Sequence, residues 1–145
     1  MRNRSGFSLV EMMVGLVVLG LLAAFSVPAL NSYLSTWNLR SAHNTVISEF
    51  KLLRQKSIAE GRDRRIWFSP SSSMYWFQDP ETFVWTTYTL PDRVTIESAV
   101  FGGSFYDTYM QPNGRSTRAG MIVLRNIKSE RDTVMVDLTG WVGRP

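Results

Sequence analysis

Residues 6–30 read GFSLVEMMVGLVVLGLLAAFSVPAL, and this stretch decides how the rest of the chain is understood. Its first residue closes a six-residue leader, MRNRSG, whose only charges are Arg2 and Arg4. Between Phe7 and Leu30 the one charged residue is Glu11, and no further charge occurs until Arg40. As a helix rising about 1.5 Å per residue, the segment from Phe7 to Leu30 covers roughly 36 Å, enough for a hydrocarbon core of about 30 Å. Thirteen of its residues are Leu, Val or Phe, which together favour insertion by roughly 4 to 8 kcal/mol. Glu11 opposes insertion, but near one end of the span its carboxylate reaches the interface. A transmembrane helix is expected over residues 7–29.

Three readings are open for this segment. A cleaved secretory signal has an apolar stretch of about 7–15 residues. This run is longer and carries an acid, although Ala24-Phe25-Ser26 offers a loose small-x-small site. An ordinary single-span anchor explains the length, but neither Glu11 nor the Gly6-Phe7 junction. The third reading comes from a resemblance. Gly6-Phe7-Ser8-Leu9-Val10-Glu11 resembles the class III signal of type IV pilins and type II secretion pseudopilins. The short basic leader, the Gly-Phe pair, the acid soon after it and Pro28 all occur together. The resemblance implies cleavage after Gly6 by a prepilin peptidase/methyltransferase and N-methylation of Phe7. It also implies assembly roles for Glu11 and Pro28, and a section from Gly20 to Pro28 that loosens in a filament.

Composition narrows what the remainder does. A chain of 145 residues has room for one domain, and roughly 115 residues beyond the span can bury a modest core. There is no cysteine, which removes disulfides, thiol catalysis and Cys-based metal sites. The formal charge is +4; without Arg2 and Arg4, fourteen basic side chains face twelve acidic ones, leaving +2. That is not the footprint of an obligate nucleic-acid binder. The leader arginines favour a cytoplasmic N-terminus. A single-pass topology with an outward C-terminal domain is therefore expected, and the resemblance implies that the membrane is the inner membrane, that the C-terminal domain is periplasmic, and that the chain later joins a pilus or pseudopilus.

Beyond the span, Leu39, Ala42, Val46, Phe50 and Leu53 recur at spacings of three and four, an amphipathic helical stripe over residues 30–61. Glu60-Gly61 reads as its C-terminal stop. Leu30, Tyr33 and Trp37 point to another face, suited to a membrane-interface belt or to neighbouring subunits. The pattern then changes to short runs rich in aromatic and β-branched residues: 66–68, 74–77, 83–90, 94–96, 104–110, 121–125 and 133–138. Turn signals separate them, among them Asp79-Pro80, Gly102-Gly103 and Pro112-Asn113-Gly114. The expected fold class is α+β: a long N-terminal helix, half transmembrane and half amphipathic, packed on a small antiparallel β-sheet domain of about six to eight short strands, with a leader at 1–6 and a globular β domain at 62–145. Trp67, Trp76 and Trp85 suit either a stacking surface for sugars or bases, or cross-strand pairs in a small β core. His43, the one histidine, is expected to be a surface or packing residue.

A second resemblance covers the later part of the chain. Pro112-Asn113-Gly114-Arg115-Ser116-Thr117, the runs at 121–124 and 134–136, Thr139-Gly140, and the helical positions Arg54, Ile58 and Gly61 are similar to the GspH/FimT family of minor pilins and pseudopilins. It implies a structural subunit that primes, tips or caps a type IV pilus or type II secretion pseudopilus. Its partners would be other pilins or pseudopilins, the inner-membrane assembly platform and membrane lipid. The alternative within the family is uptake of duplex DNA through a C-terminal Gly-Arg-x-Arg. Here Gly140-Trp141-Val142-Gly143 stands at that position with Arg144 after it, so any phosphate contacts would fall to scattered basic residues, Arg115, Arg118 and Arg144 with Arg125, Lys128 and Arg131. No catalytic constellation, metal-ligand spacing or cofactor motif is visible, and no enzymatic activity is expected. A membrane-anchored hydrolase using Ser and Asp is the remaining reading of a different class.

Glu11 carries the clearest physical argument. A carboxylate inside a bilayer needs a partner, and cleavage before Phe7 creates an amine near it. In an assembly, Glu11 of one subunit is expected to meet the Phe7 amine of the next; the alternative is the same pairing within one chain.

Overall fold

The structure is a computed structural model that describes residues 8–145, with the side chains of 25–29 outside the described set. Helix α1 spans Leu9–Glu60. Eight strands follow: β1 (Arg64–Phe68), β2 (Met74–Gln78), β3 (Trp85–Thr89), β4 (Val94–Phe101), β5 (Asp107–Met110), β6 (Gly120–Asn126), β7 (Arg131–Val136) and β8 (Val142–Gly143). They form two antiparallel four-stranded sheets, ordered β3-β2-β1-β5 and β4-β6-β7-β8. The α+β expectation and the strand count both hold. Two compact units divide the chain, Met1–Leu34 and Ser35–Pro145.

Within the second unit, the helical stripe is the floor of the core. Leu39, Ala42, Val46, Phe50 and Leu53 are all buried, together with inward residues of both sheets such as Ile66, Phe68, Ile96, Ile122 and Val134. Phe68 sits at the middle, its ring stacked near Phe50, Tyr75 and Phe101 at 5.8–6.0 Å. Such a side chain contributes through buried area and ring geometry together. Ser35 and Ser57 continue the buried face. The Ser57 hydroxyl shares its one proton between the carbonyls of Arg54 (2.9 Å) and Gln111 (3.1 Å), tying the helix to the loop after β5.

The helix ends where expected. Gly61 adopts φ +67°, and the Arg62 N–H returns to the Ser57 carbonyl at 3.2 Å, the hydrogen-bond pattern of a Schellman cap. Glycine takes that conformation without the strain a side chain adds. At the other end the helix continues without interruption through Gly20 and Pro28.

Several strand bounds differ from the sequence reading; β5 begins at Asp107 and not Ser104, and β7 spans Arg131–Val136 where 133–138 is expected. Strand β4 runs to Phe101 rather than ending at Ile96, because a bulge between Ile96 and Ser98 shifts the register. Buried positions change from Val94 and Ile96 to Ala99 and Phe101, so period-two alternation breaks in the sequence while the strand continues. Strand β3 begins at Trp85, not Phe83, which has φ +56°. The short β8, pairing Val136 with Val142, had no sequence signal of its own.

Candidate functional site

Gly6 and Phe7, the expected cleavage and methylation positions, lie outside the described residues. The first described residue is Ser8, and it caps the helix. Its hydroxyl accepts the Val10 N–H at 3.3 Å, and the Glu11 carboxylate accepts the Ser8 N–H at 3.3 Å. This is a capping box, a Ser at the N-cap with an acid three residues on. The acid also lies in the first turn, where the helix dipole favours negative charge. The pattern Ser8-Leu9-Val10-Glu11 announces it; reading Glu11 only as a charge near a membrane obscured it. Pro28 lies within the helix, but its side chain is outside the described set. Leu9, Val10, Met12, Leu16 and Leu22 are all exposed along the first part of the helix. No helix among the described residues is long and apolar enough to cross a membrane. The apolar run whose side chains are described stops at Ala24, whereas the expected span includes residues 25–29.

The scattered positions that carried the second resemblance converge. Gly114 and Gly140 take positive φ, +77° and +79°. A Cβ on Gly114 would lie 3.1 Å from both Arg54 Nε and Ile58 Cδ1, and one on Gly140 would lie 2.0 Å from the Gly114 carbonyl oxygen. Two loops thus close on one face of the helix, and only glycine fits both turns. The Ser116 hydroxyl, buried, bonds Thr108 at 2.8 Å and the Arg118 carbonyl at 2.8 Å, fixing the same loop against β5.

Three of the arginines considered for phosphate contacts, Arg115, Arg118 and Arg144, are held separately. Arg118 donates to Asp107 Oδ1 at 2.9 Å and lies 3.9 Å over the Phe105 ring. Asp107, itself buried, also receives Arg65 Nε at 2.7 Å. Arg144 donates to Asp132 Oδ2 at 2.6 Å on β7 of the other sheet. Arg115 is exposed on its loop. Carboxylates therefore already neutralise two of the three. Trp141 is half-exposed, and its ring lies over Gly143, where a Cβ would meet indole Cζ2 at 2.5 Å. Where the DNA-binding pattern has two arginines, this chain has an indole covering a glycine.

His43 is a correction to the surface alternative: it is 5% exposed, with Nδ1 3.1 Å from Asp132 Oδ1 but out of hydrogen-bonding direction. Burial pushes its pKa down; Asp132 opposes this and Arg144 reinforces it. Of the three tryptophans, Trp67 and Trp76 form a cross-strand pair with ring centroids 4.7 Å apart. Trp85 lies against the Arg65 guanidinium, 5.3 Å from ring centroid to Cζ. Among the described residues no cluster of His, Asp or Glu is arranged to hold a metal ion.

Residues 1–27 match the prokaryotic N-terminal methylation motif. A comparison with curated protein sequences finds no match. Among solved structures, the chain is similar to the minor pseudopilin EpsH from the type 2 secretion system of Vibrio cholerae, with TM-score 0.60, 12% identity, and coverage of 74% of this chain and 96% of that one. It is also similar to the type IV minor pilin FimU of Pseudomonas aeruginosa strain PAO1, with TM-score 0.56, 9% identity, and coverage of 74% and 87%. The chain shares the fold of these two structures.

Proposed function

We propose that this chain is a minor pilin or pseudopilin, a non-enzymatic subunit that primes, tips or caps a type IV pilus or type II secretion pseudopilus. The observation that carries the reading is one coincidence: a methylation motif over residues 1–27 stands on a chain whose fold is that of EpsH and FimU. In this reading residues 1–6 are a leader removed by a prepilin peptidase, which then methylates Phe7. Residues 7–29 anchor the chain in the inner membrane with its N-terminus cytoplasmic. Residues 30–61 carry the amphipathic helix, and 62–145 form a periplasmic β domain. Glu11 pairs with the Phe7 amine of a neighbouring subunit during extraction into the filament, a partner that compensates a carboxylate in an apolar medium. Pro28 removes one helical hydrogen bond and gives the span a place to bend. The other partners are further pilins or pseudopilins, the assembly platform and membrane lipid.

The test is the mass of the chain extracted from membranes of cells with and without prepilin peptidase. Cleavage after Gly6 with a methylated Phe7, only when the peptidase is present, is the expected result. An intact Met1 in both, or cleavage after Ser26, overturns the reading.

A further inference from the structure

Each of the two sheets has two edges; two of these four are covered, and a third is very short. On β5, Met110 bridges Ser116, and the Thr117 N–H binds the Tyr109 carbonyl at 2.9 Å. On β4, Ile96 exchanges bonds of 2.7 Å with Ser71 and Ser72, and Phe101 pairs with Phe105. β8 is two residues long. β3 is different: all five of its residues are exposed.

The direction of its free groups follows from its ladder with β2. The Leu90 N–H binds the Ser73 carbonyl at 2.8 Å, and the Asp79 N–H binds the Val84 carbonyl at 2.9 Å. Hydrogen bonding alternates along an antiparallel strand, so Val84, Thr86, Tyr88 and Leu90 face β2. Trp85, Thr87 and Thr89 turn their N–H and C=O groups outward. Natural sheets blunt such an edge with Lys, Pro, a bulge or a covering loop. Here no charged residue stands between Glu81 and Asp92, and Phe83 and Val84 beside the strand are 70% and 59% exposed.

We propose that the β3 edge is a pairing surface for a second copy of this chain, joining two β3 strands antiparallel about Thr87. Among the described strands β3 is the open edge long enough to pair over several residues, so the same edge of a copy is its match. The pairing is then twofold and closed. The outward triad is self-complementary: Thr87 faces Thr87, and Trp85 faces Thr89 on both sides. Thr–Thr and aromatic–β-branched pairs are favourable cross-strand neighbours, and no like charges oppose them. The joined sheets run continuously through eight strands. A helical filament uses head-to-tail contacts, so this dimer belongs to the unassembled chain and opens when a subunit is incorporated. The pairing rests on the fold alone; its opening on incorporation rests on the filament role proposed above.

The chain contains no cysteine, so single cysteines in full-length protein in detergent micelles report the register. Paired Thr87 Cα atoms lie about 5.5 Å apart, within disulfide range. Two Thr89 positions lie about 14 Å apart at roughly 3.4 Å per residue. On mild oxidation, Thr87→Cys should give a disulfide dimer, and Thr89→Cys alone should stay monomeric. A mixture of Trp85→Cys and Thr89→Cys should give a mixed dimer. Thr87→Lys, at an exposed position whose backbone groups turn away from β2, should raise the dimer dissociation constant at least tenfold by sedimentation. Equal cross-linking of Thr87→Cys and Thr89→Cys would mean random collision and overturn the proposal. So would a wild-type chain monomeric throughout, or one whose β3 amides gain exchange protection only when other filament subunits are added, which would give the edge to a different partner.

Discussion

Glu11 holds the N–H of Ser8 through its carboxylate, at 3.3 Å. The residue we propose to pair between subunits is therefore also the cap of its own helix. The N-terminal N–H groups of a helix have no partner within it, and an acid at this position satisfies one of them.

The two roles of Glu11 separate by substitution. Gln serves a capping box as well as Glu does, but it carries no charge. Glu11→Gln should keep amide protection at Ser8 to Met12 near wild type and yet fail to enter filaments. Glu11→Ala should lose both, with a helix start weaker by about 1 kcal/mol. Amide exchange in micelles, beside a count of incorporated subunits, checks this; normal incorporation of Glu11→Gln would reject the charge-pairing role.

The arginines lead to a prediction about DNA. Each phosphate contact contributes a log–log salt slope of about −0.9. With Arg118 committed to Asp107 and Arg144 to Asp132, the full-length chain should bind duplex DNA only weakly, with a shallow slope. Arg144→Ala should change neither binding nor stability by more than about 0.5 kcal/mol. Trp141→Ala, which uncovers Gly143, should cost about 1 kcal/mol or impair assembly. A DNA titration at several salt concentrations decides: tight, steeply salt-dependent binding lost in Arg144→Ala would make DNA uptake the function.

Acid should weaken the fold at His43. Its pKa in the folded protein lies below the ordinary 6.5, chiefly because burial disfavours the charged ring. The unfolded chain therefore binds a proton that the native chain refuses. Stability is fully present above about pH 6.5 and declines as pH falls toward the folded value. Denaturant unfolding between pH 8 and 5 should show this decline in the wild type, and a flatter profile in His43→Gln. An identical slope in both would place the acid sensitivity elsewhere.

Gly140→Ala should be among the most damaging small substitutions. The added Cβ falls 2.0 Å from the Gly114 carbonyl at φ +79°, combining a steric clash with left-handed backbone strain of about 1–2 kcal/mol. A total loss of about 3 kcal/mol is expected. Gly61→Ala keeps the strain without the clash, since nothing lies near its Cβ, and should cost about 1 kcal/mol. Thermal unfolding of the two variants measures the difference directly.

How far the sequence carried depended on whether a signal was local. The stripe Leu39 to Leu53 was legible because a helix repeats its buried face at a fixed spacing, and all five residues are buried. Most strands were legible from alternation and turn residues. β4 was cut short because its bulge reverses the alternation in mid-strand. The burial of His43 was out of reach, since Asp132 and Arg144 approach it from a distant strand and from the end of the sheet. Nor does a sequence reveal which strand stands at an edge. The open side of β3 emerged only from the order of strands in the sheet.

The two glycine turns that close on Arg54 and Ile58 set an order of events during biogenesis. Helix α1 leaves the ribosome before either sheet, but its apolar stripe has no partner until both sheets exist, and the turn at Gly140 that locks onto Gly114 follows seven of the eight strands in the chain. Contacts so distant in sequence form slowly. Until they do, the stripe and the aromatic strands are exposed to wrong partners. If a membrane anchors the first part meanwhile, the domain matures while tethered. Its yield then depends on how fast the last turn arrives relative to proteolysis and premature pairing.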